Sequence, residues 1–182
     1  MRAWYALLVG ALALQRGREL ALSKRLESAR PGPRAAPRTF LLMVAVHVAL
    51  FLLPLVEVHL ASRRPRWVGF WIALLAAATG LRWWSIRSLG DQWNVRAAVP
   101  PDLRPVTTGP YRWIRHPNYL AVILEFAALP MAGGAWVSAL TLSALDGAVL
   151  MDRIQAEEAL LAAADGYQQA FGAKARFIPG IF

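Results

Sequence analysis

The chain has 182 residues and a mass of 20.0 kDa; 57% are apolar, 17% are charged, and the mean hydropathy is +0.39. Soluble domains run at roughly 45–50% apolar and 25% charged, so a disordered tail, a collagen-like fibre and an ordinary soluble globule are excluded. With no cysteine, disulfides, iron–sulfur clusters, cysteine zinc sites and a cysteine nucleophile are excluded as well. The net charge of +9 would suggest nucleic acid in a polar chain; here the apolar excess assigns it to a membrane surface.

Length gives a prior of about one domain, residues 1–182. The first apolar run, Ala3–Leu14, is short for a crossing. Arg2 and the Ala11-Leu12-Ala13 sequence resemble a secretory signal. Leu20, Leu22 and Leu26 nevertheless continue the helical spacing, so the expectation is an uncleaved first span whose helix emerges from the membrane. Arg30–Arg38, rich in Pro, Arg and Ala, reads as a loop. Thr39–Leu60 is the second span; as a helix it reaches about 33 Å, enough for a hydrocarbon core of about 30 Å. Trp67–Leu89 is the third, with Trp67 and Trp71 near one end and Trp83 and Trp84 near the other, as interfacial belts require. Tyr119–Met131 and Trp136–Leu150 flank Gly133-Gly134 and read as a tight helical hairpin, the fourth and fifth spans. The fold class expected is all-α: a polytopic membrane protein of about five transmembrane helices, with a helical hairpin and a cytoplasmic C-terminal helix.

Orientation follows from Lys and Arg. Fifteen of the twenty fall between spans one and two, between three and four (with Arg87, in the last turn of span three, counted there), and in the tail; four fall on the other side, and Arg82 lies deep inside span three. The positive-inside rule therefore puts the N-terminus outside and the C-terminus in the cytoplasm. Arg far exceeds Lys, of which there are only Lys24 and Lys174, and Ala is abundant. That composition suits a GC-rich bacterial genome and hence a bacterial inner membrane.

Signatures of soluble cofactor folds are missing: no G-x-G-x-x-G, P-loop, H-E-x-x-H or serine elbow occurs, and His47, His59 and His116 have no metal spacing. The informative stretch is Val106–Tyr119, VTTGPYRWIRHPNY. Thr107, Thr108, Gly109 and Pro110 are turn residues, and Pro117 suits the first turn of a helix. Arg112, Arg115 and His116 beside free helix N–H groups suit an anion such as a carboxylate. Spacing alone leaves open a basic juxtamembrane stretch that meets lipid headgroups. A second cluster is Asp152, Arg153, Glu157 and Glu158, where Arg153 and Glu157 are i, i+4 neighbours; a solvated surface pair stays open there too. Glu57, Glu125 and Asp146 lie within apolar spans, where an ionisable group is by default a functional candidate. Inter-helix hydrogen bonding is the alternative for these three and for His47.

GPYRWIRHPNYLAVILE, then DRIQAEEALL, Tyr167 and the closing RFIPGIF resemble the isoprenylcysteine carboxyl methyltransferase family, integral-membrane enzymes that use S-adenosylmethionine. The resemblance runs from about Trp93 to the C-terminus, which marks 93–182 as the cofactor-binding part. It looks closest to short bacterial members, some of which O-methylate lipid-tailed alkylpyrones or alkylresorcinols. The resemblance implies cofactor contacts at Leu103, Arg104, Pro105, Val106, Tyr111, His116, Pro117, Asn118, Tyr119 and Glu157. It implies that Arg153 orients the acceptor, which makes Arg153 and Glu157 the catalytic candidates; Glu125 and Asp146, ionisable within apolar spans, are the further substrate-binding candidates. Where relatives often carry a glycine two residues after the tyrosine, this chain has Ala121, which narrows the groove.

The implied activity is O-methylation of an acidic oxygen on a lipid-tailed small molecule, with the site facing the cytoplasm. The partners expected are that lipid-like substrate and membrane lipids, not nucleic acid. N-methylation of a phospholipid amine ranks lower, because an amine would want carboxylates near it rather than Arg153. A non-catalytic lipid-binding scaffold is the third reading and predicts no cofactor binding.

Overall fold

The computed structural model describes residues 3–35, 37–61, 64–99 and 102–179. Arg2, Arg63 and the last three residues of RFIPGIF lie outside them. Six helices follow one another: α1 (Ala3–Ala29), α2 (Pro37–Ala61), α3 (Val68–Leu89), α4 (Pro117–Gly133), α5 (Trp136–Ala162) and α6 (Tyr167–Phe171). Two short 3₁₀ turns, Gly90–Gln92 and Gly109–Arg112, bracket the long connection between α3 and α4. Among the described residues there is no β-strand, only a single antiparallel bridge between Arg34 and Ala98. The all-helical expectation therefore holds, and the first apolar run is the start of one long helix to Ala29.

Among the described residues, α2 is the one helix long and apolar enough to cross a membrane: Thr39–Ala61, 23 residues, mean hydropathy 2.5 and mostly unburied. The other candidates fall short for identifiable reasons. α4 has 17 residues, about 25 Å of rise, while α1, α3 and α5 carry Arg16, Arg82 and Arg153 on faces that point inward. Their outward faces are apolar: Leu7, Leu14, Phe70, Leu140 and Leu145 are all exposed. Exposed Trp67 and Trp136 mark one end of the bundle, and Trp83, Trp84 and Trp113 mark the other. Trp67 and Trp84 are seventeen residues apart, about 25 Å of helix, the spacing of two interfacial belts.

The core sits where α1, α2, α3 and α4 meet, around Tyr5, Leu50, Leu75, Phe126 and Leu129. Tyr5 is fully buried and its hydroxyl donates to the Leu129 carbonyl at 3.0 Å. The α4–α5 turn needs both of its glycines. A Cβ on Gly133 would stand 2.5 Å from Cζ of Tyr5, and Gly134 has φ 86° with Pro65 packed beneath it. Glu57 of α2 closes the start of α5: its Oε2 accepts from Ser138 N and Oγ, both at 2.7 Å, and Oε1 from Val137 N at 3.2 Å. Glu57 thus acts across helices as an N-terminal cap, the hydrogen-bonding alternative for this residue.

Candidate active site

One cavity of about 380 Å³ opens between the α3–α4 connection and the helices. Leu103, Arg104, Pro105 and Val106 form part of its wall, followed by Tyr111. His116, Asn118 and Tyr119, at the start of α4, line it next. Pro117 stands behind them, fully buried as the first residue of α4. α5 supplies Asp146, Val149, Leu150, Arg153 and Glu157, a spacing that puts all five on one helical face. Tyr167 and Phe171 of α6 close one end. At the other end, α2 contributes Met43, His47 and Phe51.

At the centre Arg153 is 2% exposed. Its Nε donates to the Tyr119 hydroxyl at 2.9 Å, and Nη2 donates to the Val95 carbonyl. The Tyr119 hydroxyl in turn donates to Glu157 Oε2. Arg153 and Glu157 therefore meet on one phenol rather than pairing along the helix surface, and the solvated-pair reading does not survive the burial of Arg153. Its Nη1 is buried and has no hydrogen-bond partner among the described residues. A buried guanidinium N–H without a partner is costly, and this one belongs to a side chain on the cavity wall.

His116 has a second neighbour that spacing did not assign. Its Nε2 donates to Glu158 Oε1 at 2.9 Å. Glu158 also takes Arg176 Nη2 on Oε2 at 2.7 Å and has Arg115 Nη1 3.3 Å from Oε1. Arg115 and His116 were expected to be available to a ligand carboxylate; the structure already supplies them with one. Burial raises the Glu158 pKa, but the hydrogen bonds from His116 and Arg176 and the charge of Arg115 outweigh it, leaving the carboxyl at about 2. The tail is sewn to the α4 start by Arg115 N on Ala175 O (2.9 Å) and His116 N on Arg176 O (3.0 Å). Burial likewise raises the Tyr111 and Tyr167 phenols above their usual range, so both stay protonated.

A charge network underlies the other half of the cavity, and most of it was not read from the sequence. Arg82 of α3 donates through Nε (2.9 Å) and Nη2 (2.7 Å) to Glu19 Oε2, and through Nη1 to Asn118 Oδ1 at 3.1 Å. Arg16 Nη1 reaches the same Glu19 oxygen at 2.6 Å, and its Nη2 pairs with Glu125 Oε2. Arg16, Glu19 and Arg82 face the cavity; Glu125 does not. Glu125, expected beside the substrate, stands behind the wall and holds Arg16. The signal available was an ionisable residue inside an apolar run, which Arg82 is; Glu19, in the polar stretch after Leu14, carried no such signal.

Two comparisons bear on this chain. The family described as isoprenylcysteine carboxyl methyltransferase (ICMT) matches residues 71–163, a stretch that takes in the α3–α4 connection, α4 and the whole cavity face of α5. The chain is also 32% identical over 160 residues to the uncharacterized protein YpbQ of Bacillus subtilis (strain 168), an alignment that covers 85% of this chain and 95% of that protein. The chain belongs to the isoprenylcysteine carboxyl methyltransferase family, a family of membrane methyltransferases.

Proposed function

We propose that the protein is an S-adenosylmethionine-dependent O-methyltransferase acting on an acidic oxygen (a carboxylate, enol or phenol) of a lipid-tailed small molecule. The observation that carries this is a cavity joining two unlike walls. One wall is Leu103–Val106, Tyr111, His116 and Glu157; the other is the largely apolar stretch of α2 that includes Met43, Val44, Val48 and Phe51. Arg153, with its unpartnered Nη1, lies between them.

The donor set suits the cofactor. Glu157 offers a carboxylate for the amine or the ribose hydroxyls, and the start of α4 offers N–H groups for the carboxylate. Tyr111, Tyr167 and Val106, packed together, offer an apolar bed. S-adenosylmethionine, when bound, supplies a methyl group on a sulfonium; the methyl passes to the acceptor oxygen and a neutral thioether is released. Arg153 holds that oxygen as an anion, and its fixed direction supplies the alignment that methyl transfer needs. An acceptor already ionised near neutral pH requires no strong base. Membrane placement completes the reading: five spans, the N-terminus outside, and the α3–α4 connection and tail in the cytoplasm, so that a lipid tail enters sideways past α2.

Two measurements test this. Calorimetry of the detergent-purified protein with S-adenosylhomocysteine should show stoichiometric binding; no binding would hand the case to a non-catalytic lipid protein. A labelled-methyl assay on hydroxy-pyrones, resorcinols and prenyl-cysteine analogues should show activity rising with tail length, because each buried CH₂ is worth about 0.8 kcal/mol. Equal rates on tailless and long-tailed acceptors would defeat the reading, and preferential methylation of a phospholipid amine would replace it. Cysteine mapping at Ser28, in a chain without native thiols, should label only from the cytoplasmic side.

A further inference from the structure

Asp146 is the anomaly of the cavity. It is 2% exposed and lines the wall on α5, two helical turns from Arg153. Its carboxyl makes no hydrogen bond among the described residues, although Glu125 lies near enough to interact with it electrostatically. No cation is left for it: Arg16 and Arg82 are taken up by Glu19 and Glu125, two guanidiniums against two carboxylates. An ionisable group placed in an apolar span with no partner is costly, and a ligand that supplies the missing hydrogen bond removes that cost.

His47 lines the same cavity from α2, the helix that packs against α5. Its Nδ1 lies 2.9 Å from the Met43 carbonyl. A carbonyl can only accept, so Nδ1 carries the proton and Nε2 of the neutral ring is an acceptor. Nε2 has no hydrogen-bond partner among the described residues, and the residue lines the cavity. The cavity thus presents two acceptors, while the Arg153 level presents an unused donor.

We propose that Asp146, on the cavity that His47 also lines, is a specificity subsite that accepts a hydrogen bond from a neutral hydroxyl of the acceptor lipid, separate from the oxygen that receives the methyl group. This rests on the lipid-tailed acceptor proposed above and narrows it to amphiphiles bearing a second O–H. The donor named is a hydroxyl because the acceptor proposed above is an oxygen-bearing lipid; an amine in its place is the competing ligand that the titration below distinguishes.

The test is binding, which does not depend on turnover. Matched amphiphiles of equal tail length, with and without the second hydroxyl and with an amine in its place, are titrated calorimetrically into the full-length protein saturated with S-adenosylhomocysteine. The native protein should bind the hydroxylated compound about ten- to a hundredfold more tightly than its deoxy analogue. Asp146→Leu should abolish that ratio while retaining S-adenosylhomocysteine binding, and it should not lower the melting temperature, since an unpartnered carboxyl leaves the span. Asp146→Asn, which keeps one acceptor oxygen, should retain part of the ratio. An unchanged ratio in Asp146→Leu, or tightest binding of the amine, overturns the subsite. Failure of methyl transfer to every acceptor, with the ratio intact, overturns the methyltransferase reading and leaves the subsite standing.

Discussion

Arg153→Lys separates the two tasks that meet at the centre of the cavity. Arginine there has three nitrogens with three duties: Nε on the Tyr119 hydroxyl, Nη2 on the Val95 carbonyl and Nη1 unpartnered among the described residues. A lysine ammonium keeps the charge but cannot reproduce a planar fork that reaches three directions. Leaving the part-buried Val95 carbonyl without its donor costs up to about 1 kcal/mol of stability. Losing the directed contact to an acceptor anion removes one charge-assisted hydrogen bond, about 1.5–3 kcal/mol, or roughly ten- to a hundredfold in kcat/KM. The cofactor side should suffer less, because Glu157 keeps its bond from Tyr119. The assay pairs calorimetry with S-adenosylhomocysteine and a methyl-transfer rate on a long-tailed acceptor. Affinity within about threefold of native, with kcat/KM down tenfold or more, is the expected result. Lost cofactor affinity with turnover falling in proportion would move Arg153 into the cofactor site, and unchanged turnover would remove it from the reaction altogether.

The other predictions concern the parts around that centre. Glu157→Ala should weaken S-adenosylmethionine binding about ten- to a hundredfold by calorimetry, and His116→Ala, whose ring is already bonded to Glu158, should weaken it less; unchanged binding in a folded Glu157→Ala would sink the assignment of that wall. Glu158 is held at about 2 against an ordinary value of 4.5. Its pairing with His116, Arg115 and Arg176 therefore stabilises the fold fully above about pH 4.5 and is lost as pH falls towards 2. Melting temperature in detergent should fall across that window, and Glu158→Gln should flatten the fall while lowering the plateau above it. Gly133→Ala drives a Cβ into the buried Tyr5 ring, 2.5 Å away, and should cost about 1–3 kcal/mol of stability. Gly147→Ala, whose Cβ meets nothing within 4 Å, is the matched control and should not destabilise.

What could be read from the sequence divides along a physical line. Helix existence was legible because long apolar runs bounded by Pro and Gly leave few alternatives, and Gly133-Gly134 marked its turn correctly. The stretch around Arg115–Tyr119 was legible because turn residues, basic residues and a helix-starting proline crowd into a few positions. Partner choice was not legible. Glu157 and Glu158 are adjacent, and only the path of the tail, which brings Arg176 beside Arg115, decides that Glu158 takes the cations and Glu157 the phenol. Glu19 and Arg82 are 63 residues apart, and nothing in either local sequence names the other. Glu57 looked like Glu125 and Asp146 in kind, yet its two oxygens cap α5. An acidic residue in an apolar run shows that a partner is needed, and the fold alone shows whether the partner is a helix end, an arginine or a ligand.

The face of α5 ties these roles together. Along it stand Asp146, then Val149 and Leu150, then Arg153, then Glu157, all on the cavity wall. The helix rises about 16 Å between the first and the last of them. Chemistry grades along that distance: an unpartnered acceptor, an apolar interval, an unpartnered donor and a carboxylate next to the loop wall. A rigid helix fixes these spacings more firmly than loops can, so a ligand that spans them is measured against a ruler. The apolar interval suits a hydrocarbon or ring segment, while the polar residues at either end discriminate its substituents. Membrane solubility of the acceptor and alignment of its reacting oxygen then become demands on one helix, whose apolar outward residues Leu140 and Leu145 face away from the cavity. Selection for the right lipid and selection for the right oxygen are therefore exerted along a single stripe, and substitutions at Asp146 and Arg153 should alter different terms of the same specificity.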